Sequence, residues 1–430
     1  MRILFLTQIV PYPPDAGPKV KTWHVLRYLV EAGHEVILVS FVRPEEEKYV
    51  PALNQVCSAV HTVPIRRARL ADLGYWLRSH FSGRPFLIER DDLLAMRALV
   101  QRIVTERQID MIHADQLTMT LYALPYARKG GLEALGEETG EGLKLPLTLF
   151  DAHNAVWTII ERMGTNAPWF LKPVAKLEAQ RVKRFEGEIV RKFDFTLAVT
   201  ELDRLALEEA VRHFADGALA EHPPIRVVPI AVDTRQLQPV QRREGSKEIV
   251  TLGTLHYPPN ADGIRWFARE VFPLIRRQEP AATLTIIGKN PPADLSHLQV
   301  QNPGVITVTG YIPDLVPYLE AAALMVVPVR AGGGMRVRIL EALARGMPVV
   351  TTTIGLEGIA ARHGEEVLVA DSAEEFARQV TTLLADSELQ ARLARQGRLL
   401  AEARYDWQVV LAAMDAIYRP VVQEVYEQSA

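Results

Sequence analysis

Twice along this chain, short apolar runs alternate with amphipathic stretches in the order strand, loop, helix, strand. Residues 2–7 are mostly apolar. A loop rich in proline and glycine covers Pro11–Pro18. A helix is expected over Lys19–Ala32, closed by Gly33, and Glu35–Phe41 is a second apolar run. Such a βαβ unit favours a parallel sheet buried on both faces. The alternation continues through Met111–His113, Leu147–Phe150, Phe195–Val199 and Arg226–Val228. Asp233–Lys247 is polar and reads as an interdomain linker. The pattern then restarts. Strands are expected at Glu248–Leu252, Thr283–Ile287, Val305–Val308, Leu324–Val327 and Val349–Thr352, with helices over Ala261–Arg277, Leu315–Ala322 and Met335–Arg345.

A single core rarely grows past roughly 250–300 residues, and this chain has 430. The expected fold is therefore α/β, with two Rossmann-like doubly wound domains facing across a cleft. Residues 1–235 and 236–405 form the domains, and a final helical stretch within 406–430, about Trp407–Gln428, returns to the first. Hydrophobic residues at 48% and charged residues at 23% suffice for two cores in a soluble chain. The net charge of −3 gives no argument for a nucleic-acid partner. Cys57 is the one cysteine, so an intramolecular disulfide is excluded and a reducing compartment fits.

The apolar start is too short for a signal peptide, and no run approaches the roughly 20 apolar residues that span a bilayer. The expected location is cytoplasmic, with a possible peripheral contact at the inner membrane face. Leu171–Lys192 mixes basic and apolar residues at helical spacing. Such a segment is either a solvated charged helix or a contact with anionic lipid. Lys129–Lys144, rich in glycine and glutamate, reads as a mobile surface loop.

The most informative stretch for chemistry is Arg330–Val350. A strand ends near Val329, Gly332–Gly334 let the backbone approach a ligand, and a helix follows. Its N-terminal N–H groups would point to the carboxyl edge of the sheet, where open α/β sheets bind phosphate-bearing ligands. Arg336 or Arg338, near the helix start, can bind a diphosphate by paired hydrogen bonds. Arg338 and Glu341 share a helix face. Glu341 then either pairs with Arg338 or accepts hydrogen bonds from sugar hydroxyls. In the first half, Phe150-Asp151-Ala152-His153-Asn154 follows a strand, so His153 and Asn154 lie at its carboxyl edge. His113 and Thr200-Glu201 also end strands. No His/Asp/Glu cluster shows convincing metal-ligand spacing, so no metal is expected.

The stretch from Gly332 to Val350 resembles the donor-site signature of glycosyltransferase family 4, retaining enzymes of the GT-B fold. Gly253–Asn260, Ile286–Lys289, Gly310–Asp314 and Gly355–Gly358 match later motifs of the donor domain in order. Pro11–Pro14 with Gly17 looks like the glycine loop of the first domain, and Val228–Asp233 like the hinge. The bacterial exopolysaccharide and PEP-CTERM-associated branch is the nearest in pattern.

The resemblance implies retaining transfer of a sugar from a nucleotide-diphosphate donor to a glycan, lipid-linked or other acceptor, in cell-surface polysaccharide synthesis. No cofactor is implied. Glu341 would hold the nucleotide ribose, and the Gly17 backbone would lie under the donor phosphate. His153 would orient the acceptor or the reacting sugar, with His113, Asn154, Thr200 and Glu201 on the acceptor side. Many members have a glutamate where this chain has Gly333; the backbone N–H groups of Gly333, Gly334 and Met335 would replace it. Many also carry an Arg and a Lys in the loop that begins here at Gly253, where only His256 is found. That charge would move to Arg336 and Arg338. The alternatives are a nucleotide-sugar epimerase of the same fold and a non-catalytic nucleotide- or glycan-binding protein. An NAD-dependent enzyme is discounted, because no Gly-x-Gly-x-x-Gly follows the first strand.

Overall fold

A computed structural model describes residues 1–127, 145–165, 168–213 and 222–418. The Lys129–Lys144 stretch and the end of the last helical stretch, beyond Tyr418, lie outside the described residues. Contacts divide the chain into two units, Met1–Pro229 with Leu411–Ala430, and Ile230–Val410.

The first unit is built on seven strands: β1 (Arg2–Thr7), β2 (Glu35–Val42), β3 (Ala59–Pro64), β4 (Met111–Asp115), β5 (Leu147–Ala152), β6 (Phe195–Ala198) and β7 (Ile225–Val227). All pair in parallel, in the order β3-β2-β1-β4-β5-β6-β7. Its main helices are α1 (Gly17–Glu31), α2 (Arg69–Ser82), α3 (Leu94–Glu106), α4 (Val156–Thr165), α5 (Lys172–Lys192) and α6 (Glu201–His213). Helices cover both faces of a parallel sheet, so its central strands must be apolar on both sides. Ile3, Leu4, Phe5 and Leu6 are accordingly all fully buried. The edge strand β3 was not expected, because Ala-Val-His-Thr-Val-Pro carries no apolar run. Its first four residues are only half-buried.

The second unit repeats the plan. Its strands are β8 (Glu248–Leu252), β9 (Thr283–Ile287), β10 (Ile306–Thr309), β11 (Leu324–Val327), β12 (Val349–Thr351) and β13 (Leu368–Val369), ordered β10-β9-β8-β11-β12-β13. Its main helices are α7 (Pro258–Trp266), α8 (Ala293–Gln301), α9 (Val337–Ala344), α10 (Ala373–Ala385) and α11 (Ser387–Leu400). The single helix expected over Ala261–Arg277 is interrupted by a wider turn at Phe267–Val271 before helix resumes at Phe272. Pro273 lies at that junction and lacks the N–H an α-helix needs. The helix expected from Met335 starts instead at Val337, with Arg336 as its cap residue.

In each sheet the strand order reverses beside its first strand, between β1 and β4 and between β8 and β11. Open α/β sheets bind ligands at the carboxyl ends of the strands at such a switch point. The polar stretch Asp233–Lys247 is fixed along the second unit. Arg398 donates to the carbonyls of Thr234 (2.8 Å) and Leu237 (2.6 Å), and the Val240 amide donates to Arg345 (3.0 Å). The chain re-enters the first unit at Leu411. There the Tyr28 hydroxyl donates to Asp415 (2.6 Å), and the Tyr418 hydroxyl lies 2.9 Å from His113 Nδ1.

No helix among the described residues is long and apolar enough to cross a membrane. On α5, the apolar stripe from Ala179 through Val182, Phe185, Ile189 and Val190 is buried in the first unit. Only its first two turns keep apolar side chains exposed.

Candidate functional site

In the second unit, the loops after β8 and β11 meet at the switch point, and Arg338 ties them together. It stands at the second position of α9. Its guanidinium donates to the Leu252 carbonyl (2.5 Å), at the end of β8, and to Asn260 Oδ1 (2.6 Å), on α7. Gly253 makes room for this, since a Cβ there would lie 2.8 Å from Arg338 Nη1. Burial, with the positive charge of Arg336 nearby, brings the Arg338 guanidinium down to about 10. It therefore remains charged at neutral pH.

Glycine is required in the loop that leads to α9. Gly332 and Gly334 hold φ of 100° and 82°, a conformation costly for any residue with a Cβ. Arg336 folds back and donates to the Gly333 carbonyl (2.6 Å). Met335 is buried. One turn into α9, Glu341 is half-buried, and its carboxylate makes neither a hydrogen bond nor an ion pair among the described residues. The expected alternative, an Arg338–Glu341 pair, is not formed, because Arg338 turns toward β8. Burial raises the Glu341 carboxyl, while Arg345 and Arg338 draw it down. A carboxylate close to two arginines and without a hydrogen bond retains its full capacity to accept hydroxyl donors. Lys289, quoted in the sequence only as part of a motif, places its ammonium 4.4 Å from the Tyr311 ring centre, on the loop after β9.

In the first unit, the carboxyl ends of β1, β4 and β5 converge on a buried polar cluster. Asp115, at the end of β4, is fully buried and receives three groups. Thr7 (2.9 Å) and Thr22 (2.8 Å) donate hydroxyls to Oδ2, and His153 Nε2 lies 2.7 Å from Oδ1. With Nε2–H directed at Asp115, His153 Nδ1 presents a lone pair. That atom is buried and has no hydrogen-bond partner among the described residues. Beside it, Asp151 is fully buried against the ammonium of Lys21 and lies 3.4 Å from His113 Nε2. Burial alone would raise the Asp151 carboxyl, but Lys21, with His113 and His153, holds it well below the usual carboxylate range.

The turn carrying His153 is fixed from beneath. Glu186 on α5 accepts the amides of Val156 (2.7 Å) and Trp157 (3.0 Å), which open α4, and Asp203 accepts that of Ala155 (2.9 Å). Gly187 lets α5 approach α6 closely, since a Cβ there would meet the Ala210 carbonyl at 2.5 Å. Gln116, just after Asp115, holds φ of 77°. Such strain in a residue other than glycine concentrates at functional sites.

Several expected site residues find other occupations. His113 was expected on the acceptor side, but its ring is fully buried, stacked on Phe5 (4.3 Å between centroids) and held by Tyr418. The Thr200 hydroxyl bonds Asp203 (2.6 Å) and caps α6, while Glu201 is exposed and pairs with Arg204. Asn154 is half-buried and makes no hydrogen bond among the described residues. Gly17 is the first residue of α1. His113, Asp115 and Asp151 lie close enough to share a metal ion, a grouping hidden in the sequence because it joins two strands. The oxygens of Asp115 and Oδ1 of Asp151 are already engaged by Thr7, Thr22, His153 and Lys21.

Two parallel sheets with the same reversed strand order, each with its polar site at the switch point, define the GT-B fold. Residues 246–386 match the model of the family "Glycosyl transferases group 1". The chain is 24% identical over 388 residues to an uncharacterized 44.6 kDa protein in the cps region of Klebsiella pneumoniae, covering 88% of this chain and 90% of that protein. It is 26% identical over 264 residues to a glycogen synthase of Mycobacterium tuberculosis, covering 59% of this chain and 60% of that one. Among solved structures it is similar to HepE of Anabaena in complex with UDP, with TM-score 0.67 and 14% identity over 98% of this chain and 100% of that one.

Proposed function

We propose that the chain is a retaining glycosyltransferase of family 4. It would move a sugar from a nucleoside-diphosphate donor to an acceptor hydroxyl, without a metal or cofactor, in cell-surface polysaccharide synthesis in the cytoplasm. The Ile230–Val410 unit takes the donor and the Met1–Pro229 unit the acceptor. One observation carries the reading. At the switch point of the second unit Arg338 joins both ligand loops, while one turn further the Glu341 carboxylate stands without a partner among the described residues. This is a cation for a diphosphate beside an acceptor of ribose hydroxyls. The cps-region relative and the UDP-bound neighbour support the same reading.

The groups present suit the chemistry. As the bond from the sugar's anomeric carbon to the diphosphate oxygen breaks, negative charge grows on the leaving group. Arg336, Arg338 and the first amides of α9 stabilise that charge most when it is largest, which lowers the barrier. The acceptor oxygen forms its bond on the same face, and its proton passes to the departing phosphate oxygen. His153 Nδ1 orients the reacting hydroxyl. The test is a thermal-shift panel of nucleotide-sugars, followed by product analysis with the donor that stabilises most. A raised melting temperature with one nucleotide and transfer with retained anomeric configuration is the expected result. Stabilisation by no nucleotide-sugar, or an inverted product, would overturn it.

A further inference from the structure

On the first unit, α2 and the start of α5 form an apolar surface that the described residues leave uncovered. Among the described side chains of α2 only Ser79 is buried. Leu70, Leu73, Leu77 and Phe81 recur at helical spacing along one ridge, and Leu70 is 87% and Phe81 91% exposed. Next to α2, the Arg181 guanidinium of α5 donates to Ser79 (3.2 Å), and Glu178 accepts the Phe86 amide (2.6 Å). This joins the ridge to a second exposed run, Trp169-Phe170-Leu171, with Trp169 82% exposed. Between them lies a cavity of about 350 Å³, lined by Trp76, Phe86, Ile160, Leu171, Val174 and Leu177. A lone helix of this length is marginal in water, and contiguous exposed apolar surface marks an interaction site.

The charge around this surface names its partner. The whole chain is net negative at −3, yet residues 66–82 carry four arginines against Asp72, and residues 168–184 carry five lysines and arginines against Glu178. Arg67, Arg78 and Lys183 pair with Asp91, Glu89 and Glu209, whereas Arg66, Lys172 and Lys176 stand exposed beside the apolar side chains. Exposed Trp, Phe and Leu set among cations are suited to the boundary between lipid headgroups and acyl chains. We propose that the first unit docks on an anionic lipid bilayer through the α2 ridge and the Trp169–Leu177 stretch, with the cavity receiving an apolar chain. Membrane contact then centres on α2 and the first turns of α5, since the rest of the α5 apolar stripe is already buried. The site meets the chemistry directly, because α4 runs from the His153 turn to Ile160 on the cavity wall. The acceptor class that fits is a lipid-linked saccharide.

Only this assignment of the acceptor rests on the transferase reading; the docking surface is tested without it. The full chain is sedimented with vesicles of phosphatidylcholine alone and of phosphatidylcholine with phosphatidylglycerol, with no nucleotide-sugar present. Binding to the anionic vesicles, weakened by salt, is expected. Phe81→Glu with Trp169→Glu should lower the affinity by about tenfold or more, with melting temperature and nucleotide binding unchanged. Wild-type protein that stays in the supernatant with anionic vesicles overturns the proposal. So does equal binding by the double variant, or a dimer that the variant dissolves while no vesicle is bound. Failed nucleotide binding alongside normal vesicle binding would overturn the transferase reading and leave this surface standing.

Discussion

His153 Nε2 lies 2.7 Å from Asp115 Oδ1, and the other Asp115 oxygen is held by the hydroxyls of Thr7 and Thr22. The carboxylate therefore fixes both the direction of the imidazole and which of its nitrogens carries the proton. The Nδ1 lone pair is what remains for chemistry.

Asp115→Asn should reduce turnover by about ten- to a hundredfold, the worth of one charge-assisted hydrogen bond. Nucleoside-diphosphate affinity should hold, because an orienting role acts on the chemical step. His153→Ala should have a similar effect, and the double variant should lose little more than either single one. Additive losses in steady-state kinetics would separate the two residues.

Arg338→Ala should cost more than Arg336→Ala in both melting temperature and turnover. Arg338 satisfies the Leu252 carbonyl and Asn260, whereas Arg336 donates to the nearby Gly333 carbonyl. The loss of hydrogen bonds to a charged donor amounts to about 1.5–3 kcal/mol each. Scanning calorimetry and rate measurements on the two variants check this. Equally small losses in both would remove these arginines from diphosphate binding.

Glu341→Ala should separate stability from binding. The carboxylate is desolvated and has no hydrogen bond among the described residues, so its removal should leave the melting temperature level or raise it. Affinity for the cognate nucleoside diphosphate should fall by about ten- to a hundredfold. Isothermal titration that finds unchanged affinity would end the ribose assignment.

The Glu186 carboxyl beneath the His153 turn is raised to about 8 by burial, with the Trp157 and Val156 amides pulling the other way. A carboxyl whose folded value exceeds its unfolded one binds more protons in the folded state. Its contribution is therefore fully present below the unfolded value and is lost as pH rises through the folded one. Wild-type melting temperature should fall between about pH 5 and 8, and Glu186→Gln should flatten that slope. Parallel slopes in the two proteins would contradict this.

Much of the fold is legible because buried parallel strands must be continuous apolar runs, as at Ile3–Leu6 and Leu324–Val327. The half-buried β3 and the two-residue β13 carry no such signal. In the site, the glycines at positive φ and the helix after them mark the loop between β11 and α9. The partners of Arg338 do not, because Leu252 and Asn260 stand 86 and 78 residues away in sequence. The same holds for Asp115, whose partners come from β1, α1 and the turn after β5. Only the strand order brings Thr7, Thr22 and His153 to one carboxylate.

The hydrogen bond between His113 and Tyr418 spans 305 residues. A ribosome making this protein completes the strands of the first unit early, then must synthesise all of Ile230–Val410 before Tyr418, the hydrogen-bond partner of His113, emerges. Until then His113 lacks its Nδ1 partner, next to Asp151 and the His153–Asp115 pair. A chain stopped short of Leu411 would thus carry every residue of the loops after β8 and β11 but would leave the first unit without Tyr418, the Nδ1 partner of His113.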